Sequence, residues 1–378
     1  MTLWIMFKAI QDIVCSSLWK SKMGKSIAAY YVPTSINTHI VQKITTMYRF
    51  YEPPYPFTLG FAQTLLGECL RNMSALTRSG GDYGKLHIVK ADDGHDIYLN
   101  FISSSKSKHP KAIALVTHGI AGCHLDLSNW IDYCNKNDIA SILYTRRWHN
   151  PIVDPVGANK MRLPSYADNA DCERVMYYVR NKYPDAFLVG VGYSAGGPHI
   201  INYAHYAHKN DHPNFDAIVA VSCANDMVSF GKYLESPEGK QVNMFLRNIL
   251  NRVYDNNPYM PEKIRAKIKS CPTLTDLDKA LVHHRGYHNI EHFCEELDPL
   301  ESLYKICVPT LYIAAKDDPV LFDKVFENMR LIGLINPNVI SIVTSHGGHV
   351  GWIDSEYKSW VDKVILDYIS TMQPVTHK

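Results

Sequence analysis

Gly192-Tyr193-Ser194-Ala195-Gly196 offers the clearest chemistry in the chain. It is a G-x-S-x-G pattern between an apolar run, AFLVGV, and a helical stretch, GGPHIINYAHYA. A serine hydroxyl becomes a useful nucleophile when a sharp turn exposes it and a base takes its proton. Small residues two places to either side permit that turn. The helix that follows begins with N–H groups able to hold a developing oxyanion. The pattern alone is common, and the strand–turn–helix setting gives it weight. A dinucleotide turn through Gly190, Gly192 and Gly196 is the poorer reading, because the spacing is G-x-G-x-x-x-G.

The serine needs a base, and the base an orienting acid, in the chain order Ser, acid, His. LYIAAKDDPV places Asp317 and Asp318 just past a late apolar run. IVTSHGGHVGW places His346 and His349 past the last one. Asp318, followed by Pro319 and Val320, is preferred to Asp317. His349, flanked by Gly347, Gly348 and Gly351, is preferred to His346, since glycines allow a tight loop that returns an imidazole to a sheet edge. Upstream, VTHGIAG at 116–122 can present the Ile120 N–H opposite the Ala195 N–H as an oxyanion hole, with His118 positioning that loop.

The elements that must hold these residues alternate. Strand-like runs fall at 86–89, 97–101, 112–116, 139–143, 186–191, 215–221, 310–315 and 339–343. Helical periods fall at 166–183, 197–207, 320–331 and 352–372. AIALV at 112–116 is apolar throughout, as a strand buried on both faces should be. The alternation predicts an α/β fold with a mostly parallel sheet and helices on both faces. Residues 85–224 and 301–378 would form that core, after a lead-in at 26–84 broken by EPPYP.

Residues 225–300 show helical patterns without convincing strands. Val242, Phe245, Leu246, Ile249, Leu250 and Val253 make one stripe. A helical insertion there reads as a cap over the carboxyl edge of the sheet, where ligands bind in such folds. Its histidines, His283, His284, His288 and His292, sit near Glu291 but lack the H-E-x-x-H order, so a polar cap helix is favoured over a metal site.

Composition limits the partners. Of 378 residues 46% are hydrophobic and 20% charged, as in a packed globular chain. Lys plus Arg is 39 and Asp plus Glu 37, a balance that argues against a nucleic-acid partner. The nine cysteines form no C-x-x-C pair and read as reduced thiols of a cytosol-facing protein rather than a zinc site or disulfide framework. At 1–25, Leu3, Phe7, Ile10, Val14 and Leu18 share a face, while Lys8 and Asp12 break the run a spanning helix would need. This predicts an amphipathic helix, either on an anionic membrane surface or docked on the protein's own core.

With these residues in hand, the chain resembles the abhydrolase-domain proteins of the AB hydrolase 4 type, which include yeast medium-chain ethyl ester synthases and animal lipid hydrolases. The resemblance spans roughly 50–375. It rests on PFTLGFAQTLL at 56–66, HGIAG at 118–122, GYSAGG at 192–197, TLTDLDKALVHHRGYHNIEHF at 273–293, VPTLYIAAKDDPV at 308–320 and SHGGHVGW at 345–352. It implies the α/β-hydrolase fold, a triad of Ser194, Asp318 and His349, a lipid-like ester substrate, possible acyl transfer and no cofactor or metal. The chain departs from the pattern at Ala195, at Pro198 and at Arg146-Arg147-Trp148-His149, where the family usually has Arg-Gly and small residues. The expectation is therefore a serine esterase of lipid-like esters. Its rival is a catalytically silent scaffold that binds a lipid, steroid or protein partner, against which stands the retention of every catalytic element.

Overall fold

A strand with no polar face must be covered on both sides, and five strands of this chain have every residue buried: Ala112–Thr117 (β4), Ala140–Thr145 (β5), Ala217–Val221 (β7), Thr310–Ala315 (β8) and Val339–Thr344 (β9). The computed structural model describes residues 27–47, 51, 53–77, 84–102, 110–120, 122, 139–149, 162–165, 168–258 and 260–373. Phe187–Tyr193 (β6) completes a parallel run. Ile27–Tyr30 (β1), Lys85–Lys90 (β2) and Asp96–Ile102 (β3) add antiparallel edges. Among the described residues the sheet has nine strands in the order β1-β9-β8-β7-β6-β4-β5-β3-β2.

Helices cover each face. Ser35–Met47 (α1) and Trp360–Met372 (α12) bury Ile40, Ile44, Val364 and Ile365 against one. Asn169–Lys182 (α3), Gly196–Asn210 (α4) and Asp323–Ile335 (α11) bury Val175, Ile201 and Met329 against the other. Gly60–Thr77 (α2) lies beside the last loop of the sheet. Between β7 and β8 come Met227–Glu235 (α5), Lys240–Asn256 (α6), Glu262–Ser270 (α7), Leu274–Leu281 (α8), Ile290–Leu297 (α9) and Leu300–Lys305 (α10). Residues of α5–α8 pack on one another through Phe230, Leu234, Leu250, Tyr254, Ile268 and Leu277.

The differences from the sequence reading have local causes. β1 falls inside the expected lead-in. Four residues carry no readable alternation, and what makes them a strand is pairing with β9, Ile27 opposite Thr344. α11 starts at Asp323 rather than 320, because Val320 and Leu321 give their N–H groups to the Asp318 carboxylate at 2.8 and 3.3 Å. α12 starts at Trp360 rather than 352, because the buried Trp352 donates its Nε1–H to Thr344 Oγ1 at 3.0 Å. On α6 the buried line is Asn243, Leu246, Leu250 and Tyr254, with Val242, Phe245, Ile249 and Val253 half-buried. Asn243 is inside because its amide donates to Leu234 O at 3.0 Å and Thr275 Oγ1 at 3.1 Å, which satisfies a polar group that burial would otherwise penalise.

Residues 1–25, read above as an amphipathic helix, lie outside the described residues. Among the described residues no helix is long and apolar enough to cross a membrane. Cys69, Cys172, Cys223, Cys271, Cys294 and Cys307 are free thiols, and the other three cysteines lie outside the described residues.

Candidate active site

Four loops leave the carboxyl ends of parallel strands along one edge, where open α/β sheets bind ligands. They follow β4, β6, β8 and β9, and they carry residues 118–120, Ser194, Asp317 with Asp318, and 345–349.

The β6 turn holds Ser194 at φ +52, a left-handed conformation that a serine adopts only under constraint. Two bonds fix it: the Ser194 N–H donates to Val221 O at 2.8 Å, and the Gly197 N–H donates to Ser194 O at 2.9 Å. The flanking glycines are steric necessities. A Cβ at Gly192 would lie 2.3 Å from Gly196 O, and one at Gly196 would lie 2.7 Å from Thr117 O.

Ser194 Oγ is 2.8 Å from His349 Nε2. His349 Nδ1 lies 2.9 Å from Asp318 Oδ2 and 3.1 Å from Oδ1. A buried carboxylate that already accepts two backbone N–H groups is an acceptor, so Nδ1 carries the proton and Nε2 presents its lone pair to the serine hydroxyl. The His349 N–H donates to Thr64 Oγ1 at 2.8 Å, and the Val350 N–H donates to Ser222 Oγ at 3.1 Å, so the loop is held from two sides.

Asp317 and His346 stand together outside this line. Asp317 Oδ1 accepts the Gly348 N–H at 2.9 Å, and Oδ2 lies 3.2 Å from His346 Nδ1. Gly348 has φ +63, and a Cβ there would lie 2.1 Å from Gly60 O. The pair braces the loop that delivers His349.

Ile120, Ser194, Ala195 and His349 border one cavity of about 530 Å³. Its lining is largely apolar, with Met227, Phe230, Leu246, Leu274, Phe293 and Val320. Most of these come from the helices between β7 and β8. Exposed Lys232, Glu235, Lys279, Glu291 and Glu295 mark its solvent side, where Lys279 Nζ meets Glu235 Oε1 at 2.7 Å.

The histidines at 283–292 have other partners. His283 Nδ1 is 3.1 Å from Tyr287 O, His284 Nε2 is 3.2 Å from Lys267 Nζ, and His288 stacks on His292. Among the described residues no group of three or more His, Cys, Asp or Glu side chains is placed to hold a metal. Asp278, in the TLTDLDK stretch, is paired with the buried Arg285 at 2.6 Å, and the Arg285 guanidinium lies over the Phe293 ring. Sequence reasoning missed Thr64, Gln63 and Ser222. Gln63 Oε1 accepts the Ile353 N–H at 2.8 Å and the Tyr51 hydroxyl at 2.9 Å. Gln63 and Thr64 fall within the PFTLGFAQTLL stretch, but the contacts that bring Thr64, Ser222 and Gln63 to the 349–353 loop span 128 to 290 positions, and spacing alone assigns them no role.

Three histidines near this edge are held uncharged by burial. His149 and His199 are lowered to about 4, with the Arg146 charge adding to the effect, and His95 to about 4 with Arg147 adding. Unfolded, each would take up a proton near 6.5. The stability they contribute is therefore present above about pH 6.5 and lost as pH falls toward 4. Each proton is worth about 1.4 kcal/mol per pH unit, so near pH 5 three of them give a slope of about 4. Burial would raise Asp93, but its hydrogen bond and charge pairing with Arg147 prevail and hold it at about 2, below this window. Burial raises the carboxyls of Asp171, Asp278 and Asp298, which take up protons in the folded state and offset part of that slope. The urea midpoint is therefore expected to fall from pH 7 to 4 by less than the three histidines alone would give, and a midpoint that rises as pH falls across the window would contradict it.

No family model matches the chain. It is 20% identical over 368 residues to the human protein named monoacylglycerol lipase ABHD2, covering 91% of this chain and 85% of that one. It is 25% identical over 338 residues to an abhydrolase domain-containing protein of Dictyostelium discoideum, covering 85% and 81%. With phospholipase ABHD3 of Bos taurus the identity is 22% over 305 residues, covering 75% and 71%. Among solved structures, the hyperthermophilic esterase of Pyrobaculum calidifontis superposes with a TM-score of 0.52 at 13% identity, covering 91% of this chain and 98% of that one. A thermostable carboxyl esterase of Bacillus coagulans gives 0.51 at 14%, covering 77% and 99%. At these identities the solved structures speak to the fold.

Proposed function

We propose that this chain, an α/β-hydrolase of the abhydrolase-domain type, hydrolyses carboxylic esters of lipid-like substrates through an acyl-enzyme on Ser194. The observation that carries the reading is the continuous line Ser194 Oγ–His349 Nε2 at 2.8 Å and His349 Nδ1–Asp318 Oδ2 at 2.9 Å, opening into a largely apolar cavity.

Ser194 Oγ bonds to the ester carbonyl carbon while its proton passes to His349 Nε2. The carbonyl electron pair moves onto oxygen, and the Ile120 and Ala195 N–H groups donate to that oxyanion. The oxyanion collapses, the carbon–alkoxy bond breaks, and His349 returns the proton to the departing alcohol. Water, deprotonated by His349, repeats the addition on the acyl-enzyme and releases the carboxylic acid and free Ser194. A second alcohol in place of water gives a new ester, which is acyl transfer. Asp318 keeps His349 in the required tautomer throughout.

The lipid preference is supported by the apolar lining and by relatives named monoacylglycerol lipase and phospholipase. The test is a series of p-nitrophenyl esters from acetate upward, with a monoacylglycerol, in dilute detergent. Each methylene buried is worth about 0.8 kcal/mol, so kcat/KM should climb roughly threefold to fourfold per methylene until the cavity is full. A series flat in chain length, or highest at acetate, would contradict the substrate class. Added ethanol, with the ethyl ester measured, separates acyl transfer from hydrolysis.

A further inference from the structure

The departure Arg146-Arg147-Trp148-His149 lies directly behind the loop that carries Ile120. β4 and β5 are parallel neighbours with Thr117 opposite Tyr144, so the residues leaving the two strands run side by side. Arg146 is buried, 1% exposed, and its Nη2–H donates to the Gly119 carbonyl. The Arg146 backbone N–H points at His118 Nε2 at 3.2 Å. A backbone N–H can only donate, so Nε2 accepts and the His118 proton sits on Nδ1. That Nδ1–H donates to the same Gly119 carbonyl at 2.8 Å. Gly119 O thus accepts two donors, one of them cationic.

The Gly119 carbonyl and the Ile120 N–H belong to one planar trans peptide unit, so they point in opposite directions. Holding the oxygen toward Arg146 and His118 turns the N–H the other way. Gly119 itself stands against the nucleophile, since a Cβ on it would lie 3.3 Å from Ser194 Cβ and 3.8 Å from Oγ, and in a trans peptide the Ile120 N–H lies on the same side as the Gly119 Cα. Ile120 also lines the cavity with Ser194 and Ala195. The next carbonyl lies near His149, whose Nε2 is 3.1 Å from Ile120 O and whose Nδ1 is 2.9 Å from Arg147 O, so the uncharged ring donates to one of the two. Drawing electron density to Gly119 O makes the Ile120 N–H a stronger donor. A fixed cation behind a buried peptide also favours negative charge on its far side.

We propose that Arg146 is a positioning residue for the oxyanion hole: through Gly119 O, and with His118, it aims and polarises the Ile120 N–H toward the tetrahedral oxyanion. This rests on the reading of Ser194 as nucleophile. Arg146 itself touches no reacting atom. The signature is a transition-state defect with intact substrate binding.

The test uses the purified full chain with Arg146→Gln, Arg146→Lys and a Ser194→Ala control. Because one backbone donor is misaimed rather than removed, kcat of Arg146→Gln on a p-nitrophenyl ester should fall on the order of 10–100-fold with KM within about twofold. An aliphatic trifluoromethyl ketone reports the oxyanion directly. Ser194 Oγ adds to its carbonyl carbon, His349 takes the proton, and the oxygen becomes the anion. Its inhibition constant should weaken by the same factor as kcat/KM. Arg146→Lys keeps the cation but loses the planar fork, so it should recover part of both. Should Arg146→Gln fail to fold, Arg146→Lys carries the test, with about tenfold expected in kcat and in ketone affinity.

A folded Arg146→Gln enzyme with kcat unchanged would overturn the proposal. So would a loss seen only in KM, or ketone affinity unchanged while kcat falls. If Arg146→Lys stands in, unchanged kcat there does the same. If Ser194→Ala keeps wild-type hydrolysis, the nucleophile assignment fails instead, and the two failures are told apart by that control.

Discussion

Replacing Ser194 with alanine is expected to lower kcat/KM on a soluble ester by roughly 10⁵-fold or more while leaving thermal unfolding where it was. The mutation removes one oxygen that faces a cavity, and the backbone bonds that hold the turn, to Val221 O and from the Gly197 N–H, do not involve it. His349→Ala should lose about as much, and the double variant little more, because nucleophile and base act as one unit. What survives would come from the oxyanion donors and substrate binding. A Ser194→Ala or His349→Ala enzyme with activity near wild type would remove the assignment.

Asp318→Asn should cost roughly 10⁴-fold in kcat, for a reason of tautomer rather than charge alone. Asp318 Oδ1 accepts the Val320 N–H at 2.8 Å, so an asparagine would keep its oxygen there and turn its amide toward His349 Nδ1. Nδ1 must then accept, the ring proton moves to Nε2, and the nitrogen facing Ser194 can no longer take a proton. Asp317→Asn is the contrasting variant. It weakens the brace at Gly348 without altering the His349 tautomer, and about tenfold is expected from the looser positioning. Steady-state kinetics on the two variants, beside their melting temperatures, decides which of the adjacent aspartates orients the base. The reverse ranking would move that role to Asp317 and His346.

Much of this site is legible in the sequence, because its parts sit at strand ends and strand ends are where sequence patterns change. The run AFLVGV followed by G-x-S-x-G marks the turn at Ser194, and apolar runs ending in DDP and SHGGH mark the loops after β8 and β9. Glycine was informative there: Gly192 and Gly196 permit a backbone approach that any Cβ would block. The choice of Asp318 over Asp317 rested on the following Pro319 and Val320, and in the structure Val320 N–H binds the Asp318 carboxylate.

What was not legible depends on contacts between distant parts of the chain. β1 is a strand by virtue of β9, and nothing in IAAY announces that. Thr64 meets His349 across 285 positions, and its own helix gives no hint of a polar partner. On α6 the hydrophobic stripe lies about one position off the buried line, because hydrophobicity alone puts Asn243 outside and its hydrogen bonds put it inside. The sequence marks Arg146–His149 as a departure, but what Arg146 does depends on the neighbouring loop, since the peptide it holds lies in the loop after β4.

The most direct measurement is labelling of the purified wild-type chain with a fluorophosphonate, read by intact mass and by the modified peptide, beside Ser194→Ala. Serine Oγ displaces fluoride from phosphorus and its proton goes to His349, so only an activated serine reacts readily. The account predicts one phosphonyl group per wild-type chain, on the peptide containing Ser194, and none on the alanine variant. Folded wild-type protein left unmodified, or a label on another residue that persists in Ser194→Ala, would contradict it.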